Sequence, residues 1–132
     1  MSYDKKRLGQ LGEDLAARYL INIGYTIIAR NFRAHQYLGR NSACSPGKIT
    51  AELDIVALER DTLIFAEVKT RRSTRWGVPA ESVTPAKIAK MRLAAQIYLS
   101  LHKLDYTSIR FDAICLLVQT AGWAIKHFKN IC

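Results

Sequence analysis

The hydrophobic patterns of this sequence predict an α/β domain, a mixed central sheet flanked by helices in the order α-β-β-β-α-β-β. Three observations carry this. Two segments repeat apolar residues at three- and four-residue steps, as amphipathic helices do. Five shorter segments are rich in β-branched and aromatic residues and are bounded by turn residues. The 132 residues, 49% of them hydrophobic, suffice for one core, so 1–132 is read as a single domain.

The first helix is expected from about Asp4 to Ile23, with Leu8, Leu11, Leu15, Tyr19 and Ile23 as its apolar stripe and Gly24 at its stop. Tyr25 to Asn31 is short and β-branched, a strand. Phe32 to Thr50 reads as a long irregular loop, and a loop of that length in so small a domain points to function or mobility. Glu52 to Leu58 and Leu63 to Lys69 read as two strands joined by a turn at Glu59-Arg60-Asp61-Thr62. A basic loop, Thr70 to Gly77, follows. Thr84 then caps a second helix, with Pro85 at its first position and Ile88, Met91, Ala95 and Leu99 as its buried stripe. Two last strands, Ser108 to Val118 and Trp123 to Lys129, flank a turn at Gln119 to Gly122.

Charge narrows the partner. There are 20 Lys and Arg against 11 Asp and Glu, a net charge of +9. That balance favours a polyanion, nucleic acid first, over an anionic membrane or an acidic protein; the plain alternative is a basic solvated surface. No apolar run of signal-peptide length follows Met1, and no stretch has the length of a membrane helix. Cys44, Cys115 and Cys132 are far apart and odd in number, against a disulfide framework or structural zinc. A reduced, cytoplasmic protein is expected. His35, His102 and His127 show no metal spacing and are read as structural, and no phosphate-cradling glycine loop is present.

The chemistry concentrates on the central hairpin. Alternate side chains of a strand share a face. A tight turn at Arg60-Asp61 then sets Leu58 opposite Leu63, Val56 opposite Phe65, Asp54 opposite Glu67 and Glu52 opposite Lys69. Like charges directly across a sheet are destabilising, and a cation between Asp54 and Glu67 removes that cost. Mg²⁺ or Mn²⁺ suits such carboxylate oxygens, and Lys69 beside them suits phosphate charge or an attacking water. The plain alternative is a surface hairpin with a Glu52–Lys69 ion pair. Against it, Leu53, Ile55, Ala57, Ile64, Ala66 and Val68 make the other face wholly apolar, as in strands buried on both sides.

Glu13 is a further candidate, because Gly9, Ala16 and Ala17 would let its helix approach the sheet closely; read alone, it fits a solvated helix carboxylate better. Arg71, Arg72 and Arg75 with Trp76 suit a phosphate backbone and an unstacked base, or equally a solvated loop with Trp76 tucked onto the core. Lys87 and Lys90 extend this basic patch, together with Arg92.

Asp54, twelve residues, then Glu67-Val68-Lys69 resembles the PD-(D/E)xK signature of restriction-endonuclease-like nucleases. Gly9-Gln10-Leu11-Gly12-Glu13, Gly24-Tyr25, Ala29-Arg30-Asn31-Phe32-Arg33, Glu52-Leu53-Asp54-Ile55-Val56-Ala57, Glu67-Val68-Lys69-Thr70-Arg71 and Ser82-Val83-Thr84-Pro85-Ala86-Lys87 together resemble the YraN-like family of bacterial proteins, over about Arg7 to Leu116. That family is regarded as endonuclease-like and similar to archaeal Holliday junction resolvases. The resemblance implies a restriction-endonuclease-like fold, metal ligation by Asp54 and Glu67, and Lys69 as the catalytic lysine. It matches Glu13 to the resolvases' helix glutamate and Glu52 to an acidic position of the family. Two departures are Ala51, where the family usually has glycine, and the longer loop carrying Cys44 and Pro46. Leu53 also replaces the proline of the generic signature.

The expectation is therefore a Mg²⁺- or Mn²⁺-dependent nuclease hydrolysing phosphodiester bonds in nucleic acid, DNA first, selective for branched structure as the resolvases are. Asp54, Glu67 and Glu13 are its metal residues; Lys69, Glu13 and Glu52 complete the catalytic set. The alternatives are a non-cleaving nucleic-acid-binding module and a basic adaptor for another protein. An intact acid–acid–lysine set favours cleavage, since a pure binder gains nothing from carboxylates facing phosphate. Resolvases act as dimers, so a homodimer is implied, though no residue marks a dimer face.

Overall fold

The computed structural model describes residues 5–34, 51–72, 84–119 and 121–132. In it the chain runs α1 (Lys5–Asn22), β1 (Thr26–Arg33), β2 (Glu52–Glu59), β3 (Thr62–Arg71), α2 (Pro85–Leu101), β4 (Ser108–Gln119) and β5 (Gly122–Phe128). This is the predicted order, and the fold is mixed α/β. The described strands form a five-stranded sheet in the order β1-β2-β3-β4-β5. β3 and β4 are parallel, and the other neighbours are antiparallel. A parallel pair needs a crossover, and α2 provides it.

The two helices cover opposite faces. Ala16, Ala17 and Leu20 of α1 pack on Ile55, Ala57, Ile64, Ala66, Ile114 and Leu116. Ala94, Ala95 and Tyr98 of α2 pack on Val56, Leu63 and Phe65. The rings of Phe32 and Phe65 both meet Tyr98 edge-on, at centroid separations of 5.0 and 6.2 Å. Burying a side chain such as Phe65 or Leu20 fully contributes about 1.5–3 kcal/mol.

Details differ from the pattern reading. The buried stripe of α1 is Leu8, Gly12, Ala16, Ala17 and Leu20, while Ile23 is exposed. The stripe is rotated because small residues let the helix lie close to the sheet, and Leu15 and Tyr19 then pack only at its border. In α2 the expected Met91 and Ala95 are buried, joined by Ala94 and Tyr98, with Ile88 and Leu99 partly covered. Thr84 is the N-cap, its Oγ1 accepting from the Lys87 N–H at 3.2 Å, and Pro85 follows. β1 continues to Arg33, past the expected end at Asn31. Residues 35–50 of the expected loop lie outside the described residues.

The hairpin turns on Arg60 and Asp61, with Arg60 at φ 54°, and pairs Glu59 with Thr62, Leu58 with Leu63 and Val56 with Phe65. That register matches the sequence reading. The faces do not, at one place. Ile55 and Ala57 belong to the α1 side, but Leu53 packs on the α2 side with Phe32 and Val56. β1 turns over at the same level: Arg30 reaches Asp14 on α1, whereas Phe32 lies in the α2 core. Between them Asn31 has φ 55°, a left-handed conformation that Asn tolerates better than most side chains. Strict alternation fails there, and Asp54 sits at the point of twist.

Candidate functional site

The backbone ladder between β2 and β3 ends at Ile55–Ala66. Beyond it the Val68 N–H donates to Asp54 Oδ2 at 2.8 Å, where a regular strand pair would continue backbone to backbone. The expected direct pairs Asp54–Glu67 and Glu52–Lys69 therefore do not form as ladder partners, because β2 turns over at Asp54. The two acids still feel each other. Glu52, Asp54 and Glu67 line one cleft of about 190 Å³ with Lys87, Lys90 and Met91 of α2.

Glu67 carries the polar contacts of that cleft. Its Oε1 lies 2.9 Å from Lys87 Nζ and 3.6 Å from Lys69 Nζ. Its Oε2 is buried and makes no hydrogen bond. A buried carboxylate oxygen without a donor is costly, and it suits a cation better than a neutral neighbour.

Asp54 is the strained acid. Burial pushes its carboxyl up to about 6; the Val68 N–H opposes this, and the negative charges of Glu13, Glu67 and Glu52 add to it. Glu13 is also raised, by burial first, against the pull of Asn31 and Arg30. With its amide nitrogen turned to the carboxylate, Asn31 donates to Glu13 Oε1 and Oε2 at 2.9 and 3.1 Å. Arg30 stands 4.0 Å from Glu13 Oε2 and bonds Asp14 at 2.7 Å. So β1 holds a helix carboxylate beside Asp54. Glu52 is exposed at the cleft mouth.

Close helix packing brings Glu13 there. Gly12 is buried, and a Cβ on it would lie 1.7 Å from Thr70 Oγ1 on β3. Gly9, expected to matter, faces open space. Gly12 thus fixes how near α1 comes to the end of β3.

The two lysines differ. Burial and the neighbouring Lys87 lower the Lys69 ammonium, against the pull of Glu67. Burial also acts to lower Lys87, but its ion pair with Glu67 outweighs that and raises it.

Asp54, Glu67, Glu13, Glu52 and Lys69 are thus neighbours, with Lys87 and Lys90 on the facing helix. The donor set suits a hard divalent cation: oxygen ligands, one of them unsatisfied, in a partly dry cleft. As the side chains stand, no three His, Cys, Asp or Glu among the described residues converge to ligand spacing. Arg71 and Arg72 follow the site at the end of β3. Arg75 and Trp76 lie outside the described residues.

Size does not single out this cleft. A hollow of about 600 Å³ lies beside β1 and the end of α2, lined by Arg30, Arg33 and Lys103 among others, with no acid among the described residues of its wall.

Pattern reading missed a second polar cluster. Asp112 on β4 is fully buried and bonds Arg110 Nε and Nη2 at 2.8 Å each, His127 Nε2 at 2.7 Å and the Asn130 N–H at 3.0 Å. Arg110 reaches on to Tyr25 and Glu59, and His127 Nδ1 to Tyr19. An acid amid the apolar run of β4 was its one sequence signal. His127, read as structural, is held between Asp112 and Tyr19. Among the described residues no helix is long and apolar enough to cross a membrane.

Comparison with known proteins finds relatives along most of the chain. The model of the family described as Uncharacterised protein family UPF0102 matches residues 12–116. A UPF0102 protein of Syntrophomonas wolfei is 42% identical over 125 residues, covering 95% of this chain and 96% of its own. One of Dehalococcoides mccartyi is 38% identical over 130 residues, covering 98% and 96%. One of Acidothermus cellulolyticus is 42% identical over 123 residues, covering 86% and 83%.

Proposed function

This chain belongs to the UPF0102 family, and from that premise we propose that it is a metal-dependent nuclease hydrolysing phosphodiester bonds in nucleic acid, DNA first, on a restriction-endonuclease-like sheet. One observation carries the reading: Asp54 and Glu67 flank one cleft, Glu67 Oε2 is buried without a hydrogen bond, and Lys69 stands beside them. Net charge of +9 supports a polyanionic substrate.

Asp54 and Glu67 are the residues to hold Mg²⁺ or Mn²⁺, with Glu13 behind Asp54. When bound, the ion supplies polarisation of the phosphate and a water of lowered pKa. Lys69 faces the charge that develops on the phosphate oxygens. Glu52 tunes the field at the mouth of the cleft. Arg71 and Arg72 carry the neighbouring backbone phosphates.

The test joins binding to cleavage. Calorimetry should show weak Mn²⁺ binding that is lost in Asp54→Ala and in Glu67→Ala. Labelled branched and linear DNA and RNA should be cut with Mn²⁺ and not with EDTA. Lys69→Ala should slow cutting by about 10²-fold or more while leaving nucleic-acid binding nearly intact. Equal Mn²⁺ binding by wild type and Asp54→Ala would sink the metal role.

A second reading, a nucleic-acid-binding module that does not cleave, has its own support: Lys87 already occupies Glu67, and among the described residues no three-ligand group forms. Binding of branched DNA without nicking of DNA or RNA, where a control nuclease works, would replace the enzyme reading with this one.

A further inference from the structure

We infer that Lys87 is the site's resident counter-ion: it competes with the divalent cation for Glu67, and when it yields that carboxylate it becomes a phosphate contact. The inference rests on the metal reading above and adds a role on α2.

The geometry favours Lys87 over Lys69. Its Nζ lies 2.9 Å from Glu67 Oε1, against 3.6 Å for Lys69. Lys69 is on the same strand as Glu67, two residues along, so it remains close whatever α2 does. Lys87 comes from the opposite layer. It sits in the first turn of α2, where its own N–H is capped by Thr84, so its backbone is fixed and only rotation of its long side chain can carry the ammonium away from Glu67.

Charge gives the reason for competition. Two ammonium groups share one carboxylate oxygen, while the other oxygen has no donor. A divalent ion entering the cleft would bring three cationic groups onto one carboxylate. Lys87, the one not tied to Glu67 by a shared strand, is the one to leave. Lys87 lines the cleft with Lys90, so a phosphate drawn to the metal would meet the released ammonium there. A compact ammonium is well suited to that point-charge contact.

Calorimetry with Mn²⁺ on the full chain tests the first half. Lys87→Met keeps the aliphatic stem and should tighten Mn²⁺ by roughly five- to tenfold. Lys87→Arg keeps the charge and should not tighten it. Lys90→Met removes a charge from the same cleft without an ion pair to Glu67 and should tighten Mn²⁺ by at most about twofold. Thermal unfolding of each variant checks that it folds. Equal tightening by Lys87→Met and Lys90→Met would reduce the effect to general field and overturn the competition. Unchanged affinity in Lys87→Met, with Mn²⁺ bound by wild type, would overturn it while leaving the metal reading intact. Absence of Mn²⁺ binding in wild type and Lys87→Met alike would remove both.

The second half is read from salt dependence of DNA binding, with Ca²⁺ as the ion. In wild type the slope of log affinity against log salt should steepen by about one when Ca²⁺ is added. In Lys87→Met it should not. The same slope with and without Ca²⁺ in wild type would overturn the transfer to phosphate.

Discussion

Asp54 Oδ2 accepts the Val68 N–H at 2.8 Å, just beyond the last backbone pair of the β2–β3 ladder. The carboxylate does the work of a missing strand carbonyl, and it does so in a place that disfavours its charge. Burial raises its carboxyl from 3.8 to about 6, with Glu13, Glu67 and Glu52 adding to the rise. A group whose folded pKa is raised gives its stabilisation below the unfolded pKa and loses it as pH climbs through the folded one. Asp54 therefore weakens the fold progressively from about pH 4 to above pH 6. Asp54→Asn keeps an oxygen for the Val68 N–H and cannot ionise. At pH 8 without divalent ions it should be more stable than wild type by about 1–3 kcal/mol, and at pH 4 nearly equal. Urea unfolding at the two pH values checks this. A variant less stable than wild type at pH 8 would show that the charge is already compensated.

Gly12 and Thr70 set the distance between α1 and β3. With only 1.7 Å available between a new Cβ and Thr70 Oγ1, Gly12→Ala must push the helix or the threonine aside. The expected cost is about 1–3 kcal/mol. Thr70→Ala removes the nearest atom and should recover part of that loss in the double variant. Additive losses in a double-mutant cycle of urea midpoints would mean that the two positions do not meet.

Asp112 should govern acid stability. Burial alone would raise its carboxyl, but hydrogen bonds from Arg110, His127 and the Asn130 N–H outweigh this and hold it at about 2. A depressed carboxyl contributes its stability above the unfolded pKa and loses it as pH falls through the folded one. About 2 kcal/mol should therefore disappear between roughly pH 4 and pH 2. Asp112→Asn should be destabilised at pH 7, since it leaves Arg110 poorly matched, and its acid limb over that window should be flatter. Parallel acid limbs for wild type and variant in pH-dependent unfolding would assign the loss to other groups.

What the sequence made legible was local. The two-residue turn at Arg60-Asp61 fixes the Leu58–Leu63 and Val56–Phe65 pairs, because the strand period leaves no other register that buries both faces. The neighbourhood of Asp54, Glu67 and Lys69 followed from it. The turnover at Asn31 and Asp54 was not legible, because alternation assumes extended backbone throughout and a single left-handed residue breaks it. Gly12 was masked by its neighbour: two glycines three apart on α1 differ only in which one the sheet meets. Lys87 was read as part of a basic patch, since nothing in a periodic pattern tells which lysine of a helix will point at an acid on another layer. Asp112 was written in plain view, an acid among the apolar residues of β4, but its partners come from β4 itself and from residues fifteen or more positions away.

The sheet's spatial order equals its order along the chain, and this bears on how the molecule assembles in time. Asp54 and Glu67 share one hairpin, so closing a short loop brings them together, an event of microseconds. Lys87 arrives only when α2 docks across the sheet, a later and less local step. The repulsion between the acids is thus met early and its relief comes late. Salt, by screening that repulsion, is expected to speed refolding of wild type more than of Asp54→Asn. Equal salt acceleration of the two in stopped-flow refolding would mean that the acids come together only after the lysine is in place.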